Sequence, residues 1–288
     1  MVPTPDQITI AAYHRWLRRG AAHGRDREDW YAAEQELLFS LNYQVIARHA
    51  LDSAAAVVVG NPAKPRCRFC ERGAPAADFD APVPVVPPAL GNTALFSSGV
   101  CSECREQVLD QLEPDFLRFA RPFVAGSALS VASFDDVPSP AYVPIAAFKY
   151  LVAMALLLLP EPELQYVEDA TEWVANPDHD FDAGVIGHLE CRLHIMPNEA
   201  PRPWVALARR ADHDAPLPYI LFSLGSGRAV FQAPLPLCVR DDDLDGAPLL
   251  IPRACPTAPS GAPPQPIASA RVVLAAAEST RETHLQFM

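Results

Sequence analysis

Residues 67–70 read CRFC and residues 101–104 read CSEC, and these two stretches decide how the chain is organised. A CxxC turn presents two thiolates to one ion, and two such turns complete a tetrahedral four-sulfur site. Cys67, Cys70, Cys101 and Cys104 are therefore the expected ligands of one structural Zn2+, because a closed four-thiolate shell leaves no open position for a substrate. Bound metal would supply folding energy to a segment with little apolar core of its own. The spacer, residues 71–100, is longer than a minimal zinc ribbon needs and must carry structure itself. The alternatives are free thiols or a redox pair, but a redox pair lacks its βαβ context here. The chain has seven cysteines, an odd number, and in a reducing compartment this spacing indicates metal rather than disulfides.

The stretches CRFCERGAPAADFD and VVPPALGNTALFSSGVCSECR resemble a bacterial branch of the HNH endonuclease superfamily. Phe79, Val86-Pro87, Leu90-Gly91-Asn92, Leu95-Phe96-Ser97 and the second CxxC carry the resemblance. The helical run FKYLVAMALLLLPEPELQYVEDATEWVANPD is similar to the same branch, so the likeness spans roughly residues 64–240. It implies a zinc-knuckle HNH-like module over 60–125 with nucleic acid as the inherited ligand. Two polar positions depart from it. The family's general base, a histidine that takes a proton from the attacking water, falls at Pro84, and its trailing asparagine falls at Arg105. Proline cannot accept a proton, and residues 73–100 contain no histidine to replace it. Asn92 remains, and in an LGN turn it is expected to serve a left-handed backbone position. The resemblance thus predicts a scaffold without catalytic residues.

The knuckle itself is basic. Lys64, Arg66, Arg68 and Arg72 outnumber Glu71, and Arg105 follows the last cysteine; these five are the expected phosphate contacts. Only Phe69 offers an aromatic face, so sequence-specific base stacking is not indicated. A rescue of catalysis would need a histidine from elsewhere. His188 and His194, with Glu190 between them, would share one strand face, and Cys191 would point to the other. An exposed strand face is the plainer account of that pattern.

Upstream, residues 8–20 place Ile8, Ala11, Ala12, Trp16 and Leu17 near one helical face, with Gly20 as the stop signal. Asp26 is expected to cap a second helix with Trp30, Ala33, Leu37 and Leu38 inward. The two make a helical hairpin domain over residues 1–45, its core built on Trp16 and Trp30. This segment resembles a short bacterial domain of unknown function through Ile8, Ala12-Tyr13, Trp16, Gly20, His23-Gly24-Arg25-Asp26, Asp29-Trp30 and Ala33-Glu34.

Downstream, residues 105–123 read as a helix with a kink or restart at Pro114, and 128–140 read as loop. A helical region follows over 140–180. Ile145–Leu159 is apolar nearly all round, as a buried central helix would be, and Glu163–Val174 is amphipathic. From 183 to 288 the pattern turns to strands: Val185–Met196, Trp204–Arg209, Tyr219–Leu224 and Arg228–Ala233, with a hairpin turn at Gly225-Ser-Gly227. Partial alternation predicts an antiparallel sheet with one wet face. Residues 254–266 form a Pro-rich linker. The fold class expected is α+β, in that order of regions.

Composition bounds the partners. With 23 Lys+Arg against 35 Asp+Glu the net charge is −12, which excludes a whole-surface grip on nucleic acid but leaves a local one possible. Residues 159–191 hold no Lys or Arg and much of the excess acid. Asp178, Asp180 and Asp182 lack the glycine and the terminal glutamate of an EF-hand and read as a solvated loop. The 31 prolines, about twice average usage, indicate many extended connections. There is no signal peptide and no apolar run long enough to span a bilayer, so a cytoplasmic location without membrane contact is expected. Three functions follow: a zinc-stabilised inactive HNH-like binding module for nucleic acid or protein, an active metal-dependent nuclease with a base from outside the motif, or a purely structural protein.

Overall fold

Helix α1 (Pro5–Arg18) starts at a capping box, in which the Thr4 hydroxyl accepts the Gln7 amide and the Gln7 side chain accepts the Thr4 amide at 2.8 Å. It stops where Gly20 takes φ +84°. The computed structural model describes residues 1–124, 141–178, 190–196, 202–211, 216–244, 251–252, 268–273 and 286–287. Helix α2 (Asp26–Asn42) returns antiparallel, giving the expected hairpin. Asp26 is its first helical residue rather than its cap, and Arg25 occupies the cap position without a side-chain bond. Trp16 and Trp30 are half-buried, Ile8, Ala32 and Ala33 are buried, and Leu17 faces solvent, while Leu38 packs with Tyr43, Ala208 and Leu221 at the large sheet. Ion pairs Arg15–Glu36 and Arg19–Asp29, the latter at 2.7 Å, tie the helices together.

The chain continues directly into β1 (Tyr43–Ala50), a strand absent from the sequence reading, which had ended the hairpin near residue 45. Strand β1 pairs antiparallel with β6 (Trp204–Arg210). With β5 (Glu190–Ile195), β7 (Ile220–Ser226), β8 (Ala229–Pro234), β9 (Ala268–Val273) and β10 (Gln286–Phe287) it makes a seven-stranded antiparallel sheet ordered β1-β6-β7-β8-β5-β9-β10. The expected wet face is not found at its centre: every residue of β7 and β8 is buried. Ser223 and Gln232, paired across β7 and β8, gave the strands part of their alternation, but their side is covered as well. The β7–β8 turn is Gly227-Arg228, one step later than read, with Ser226 paired to Ala229. Gly225 lies inside β7, where a Cβ would stand 2.3 Å from the Trp204 indole nitrogen.

A small second sheet carries the cysteine module: β2 (Val57–Val59), β4 (Leu95–Ser97) and β3 (Val83–Pro84), with β2 parallel and β3 antiparallel to β4. Behind it α3 (Ser102–Cys104), a π turn over Arg105–Leu109 and α4 (Asp110–Val124) form one helical run. The irregularity thus precedes Pro114, and the helix passes through both Pro114 and Pro122. The loop expected over 128–140 and the linker over 254–266 lie outside the described residues.

Helix α5 (Pro144–Leu158) is buried from Ile145 onward, as its composition predicts. The segment read as one amphipathic helix is a 3-10 turn, Glu161–Tyr166, followed by α6 (Glu168–Ala175). One continuous core joins the cysteine module, α4, α5, α6 and one face of the large sheet. Its hinge is aromatic: Phe231 of β8 meets Phe116 and Phe119 of α4 edge-on at 6.2 and 5.7 Å, and Phe116 stacks on Tyr150 of α5 at 5.3 Å. The fold is α+β.

Candidate metal centre

The first cysteine pair sits on a tight loop closed by the Cys67 amide donating to the Arg72 carbonyl (2.9 Å) and the Glu71 amide donating to the Cys67 carbonyl (3.0 Å). Glu71 takes φ +57° to make the return. The second pair begins a helix. Cys101 occupies its cap position, and its Sγ accepts the Cys104 amide at 3.5 Å. The Arg68 amide donates to the Gly99 carbonyl at 2.8 Å, which brings the two loops together.

The four sulfurs of Cys67, Cys70, Cys101 and Cys104 lie within 4.8 Å of one another. Cys70 and Cys101 are 3.7 Å apart, far beyond a disulfide bond. Zinc–sulfur bonds of about 2.3 Å in a tetrahedron set sulfurs about 3.8 Å apart, so the donor set fits a single ion. Cys67, Cys101 and Cys104 are buried and Cys70 is half-buried. Burial pushes the Cys67 thiol up, and burial together with the neighbouring Cys67 pushes Cys104 well up. Burial also acts against ionised Cys70, but hydrogen bonds, foremost from the Arg72 guanidinium, outweigh it and bring that thiol down to about 7. Four sulfurs packed this closely cannot all carry charge without a cation among them. The cluster is compatible with a metal ion, and sequence spacing identified each of its members.

The five basic residues differ in what they meet. The Arg68 side chain is only 7% exposed and turns inward, bonding the Leu159 carbonyl at the end of α5 (3.2 Å) and the Glu161 carboxylate (3.2 Å). Arg66 pairs with Glu71 at 3.0 Å. Arg72 bonds Cys70 Sγ at 3.3 Å and pairs with Glu103 across the two knuckles. Arg105 stands 4.0 Å from Asp110. Lys64 is exposed.

Pro84 lies in β3 opposite Phe96. Asn92 has a different task from the one expected. Gly91, not Asn92, takes the left-handed backbone, at φ +92°. The buried Asn92 amide donates to the Val86 and Leu95 carbonyls, both at 2.8 Å, and its oxygen accepts the Leu95 amide at 2.9 Å. It clamps the loop that leads into β4.

His194 is buried, not on an exposed face, and it projects from the side of β5 opposite Cys191, Leu193 and Ile195. His188, Asp180 and Asp182 lie outside the described residues. Sequence reasoning passed over two buried polar features. Lys149, fully buried in α5, donates to the Asn176 and Asp178 carbonyls at 2.8 and 3.1 Å and lies 5.1 Å from the Trp173 ring. Glu163 accepts from Tyr219 (2.8 Å) and from Arg209. A lysine in an otherwise apolar helix was the available signal for the first; nothing in the sequence pairs Glu163 with strands some 50 residues away.

No helix among the described residues is long and apolar enough to cross a membrane. A family model described as "Protein of unknown function (DUF2934)" matches residues 3–38, the span of the α1–α2 hairpin. No curated protein and no solved structure matches the chain.

Proposed function

We propose that the protein is a zinc-stabilised, catalytically inactive relative of HNH nucleases whose role is binding. The observation that carries this reading is the convergence of Cys67, Cys70, Cys101 and Cys104 into one cluster; the resemblance, which puts the general base at Pro84, supports the inactive part of it. A closed sulfur shell gives a structural ion, and zinc is the ion such shells favour. In this reading the hairpin ending near residue 45 and the knuckle module over 60–125 are the functional units, and the helical and β-rich regions hold them. Protein is favoured over nucleic acid as the partner. The pairing of Arg66, Arg68, Arg72 and Arg105 with carboxylates supports that choice, because a phosphate would have to displace an existing partner at each.

Purified full-length protein should contain about one zinc per chain by elemental analysis, and Cys67→Ser should contain none. With Mg2+ or Mn2+ it should leave plasmid DNA intact, and it should pass through a heparin column at low salt. Magnesium-dependent cutting that disappears in His194→Ala or His188→Ala would establish the nuclease reading instead. Salt-sensitive retention lost in Lys64→Ala would restore nucleic acid as the ligand.

A further inference from the structure

The four clustered cysteines are not equally sheltered. Cys67, Cys101 and Cys104 are 2%, 1% and 8% exposed, whereas Cys70 is half-buried. Cys70 is thus the member of the cluster that a small solute reaches most directly. The Cys101 sulfur, on the other knuckle, lies 3.7 Å from it. The same corner carries Arg72, an exposed residue whose Nε donates to Cys70 Sγ at 3.3 Å and whose guanidinium pairs with Glu103. A metal-bound cysteine is a thiolate, and among thiolates exposure decides which one an oxidant attacks.

We propose that the metal centre is a peroxide-responsive switch, opened at Cys70 and locked by a Cys70–Cys101 disulfide; this rests on the zinc reading above. The Cys70 thiolate attacks one peroxide oxygen: an S–O bond forms, the O–O bond breaks, and hydroxide leaves beside the Arg72 guanidinium. The Cys101 thiolate then attacks the resulting sulfenic acid: an S–S bond forms, the S–O bond breaks, and a second hydroxide leaves. The two sulfurs have lost two electrons, and the peroxide has taken them and ends as water once solvent protonates both hydroxides. Cys67 and Cys104 cannot hold the ion alone, so Zn2+ departs and they become thiols. The disulfide joins the two knuckles. Arg68, between Cys67 and Cys70, bonds the Leu159 carbonyl and the Glu161 carboxylate, so the change reaches the end of α5. A dithiol reductant and zinc reverse it.

Zinc-loaded full-length protein treated with hydrogen peroxide should release its ion to a chromophoric chelator, and non-reducing peptide mass spectrometry should recover Cys70 joined to Cys101. Dithiothreitol with zinc should restore the metal content. Cys70→His keeps four ligands in a Cys3His shell and should release zinc at least about tenfold more slowly under peroxide. If that variant does not load zinc, the wild type still decides: limiting N-ethylmaleimide on the zinc-loaded chain should label Cys70 before the other three. Untreated protein without zinc would sink the zinc reading and the switch together. Zinc-loaded protein that keeps its ion under peroxide, a disulfide that leaves out Cys70 or Cys101, undiminished release from Cys70→His, or first labelling at another of the four would overturn the switch alone.

Discussion

Asn92 shows what a single side chain contributes when its surroundings are fixed. Its amide group answers two carbonyls and its oxygen answers backbone amides, all within a loop that is 3% exposed at this residue. Removing it leaves buried backbone groups without partners. Asn92→Ala should therefore cost about 2–3 kcal/mol in urea unfolding. Asn92→Asp should cost more, because an oxygen would then face the Val86 and Leu95 carbonyls. Neither substitution should change zinc content, since the bonds serve the loop before β4 and not the sulfurs. The tripeptide Leu90-Gly91-Asn92 announces a turn from sequence, but which of its residues bends the backbone and which clamps it depends on the carbonyls that fold back around it.

At the scale of the element, α5 is the most apolar segment of the chain and has one charge in its middle. Burial lowers the Lys149 amine from its ordinary 10.5 to about 8, against an opposing pull from Asp178. The folded pKa is thus below the unfolded one. Between about pH 8 and 10.5 the unfolded chain binds more protons, so stability should rise with pH across that window, by up to about 3 kcal/mol from this group. Below it the cost of the buried ammonium is felt in full. The comparison to make is urea unfolding of the wild type and Lys149→Met at several pH values from about 7 to 10.5. The difference between the two curves isolates this residue from the tyrosines and cysteines that titrate nearby. A difference independent of pH would mean that the amine is not held down.

At the scale of the molecule, the cysteine module is not an appendage. Cys67, Cys101 and Cys104 belong to the same continuous core as α4, α5 and the sheet, and Arg68 reaches from the first knuckle to the end of α5. Loss of the ion should therefore be felt throughout. Thermal unfolding of protein stripped by a chelator should shift downward by more than about 10 °C as one transition, and zinc should restore it. A separate low-temperature transition for the module, with the main one unmoved, would show that the module folds by itself. The N-terminal hairpin is attached differently: its α2 leads straight into an edge strand of the large sheet, so its position follows from β-pairing with β6.

Local chemistry was legible in the sequence because it is local. CxxC spacing predicts the sulfur cluster, Gly20 marks the end of α1, and sustained hydrophobicity predicts the burial of α5. What required the fold was every feature made by residues distant in the chain. Strand β1 has no strong signal of its own and exists because β6 pairs with it. The far side of β7 and β8 reads as wet and is covered. The arginines of the knuckle read as a phosphate-binding patch, yet Glu161 and Glu103, far along the chain, meet two of them. Periodicity and spacing record the demands of neighbouring residues; the partner of a charge and the cover of a strand face are set only when the chain closes on itself.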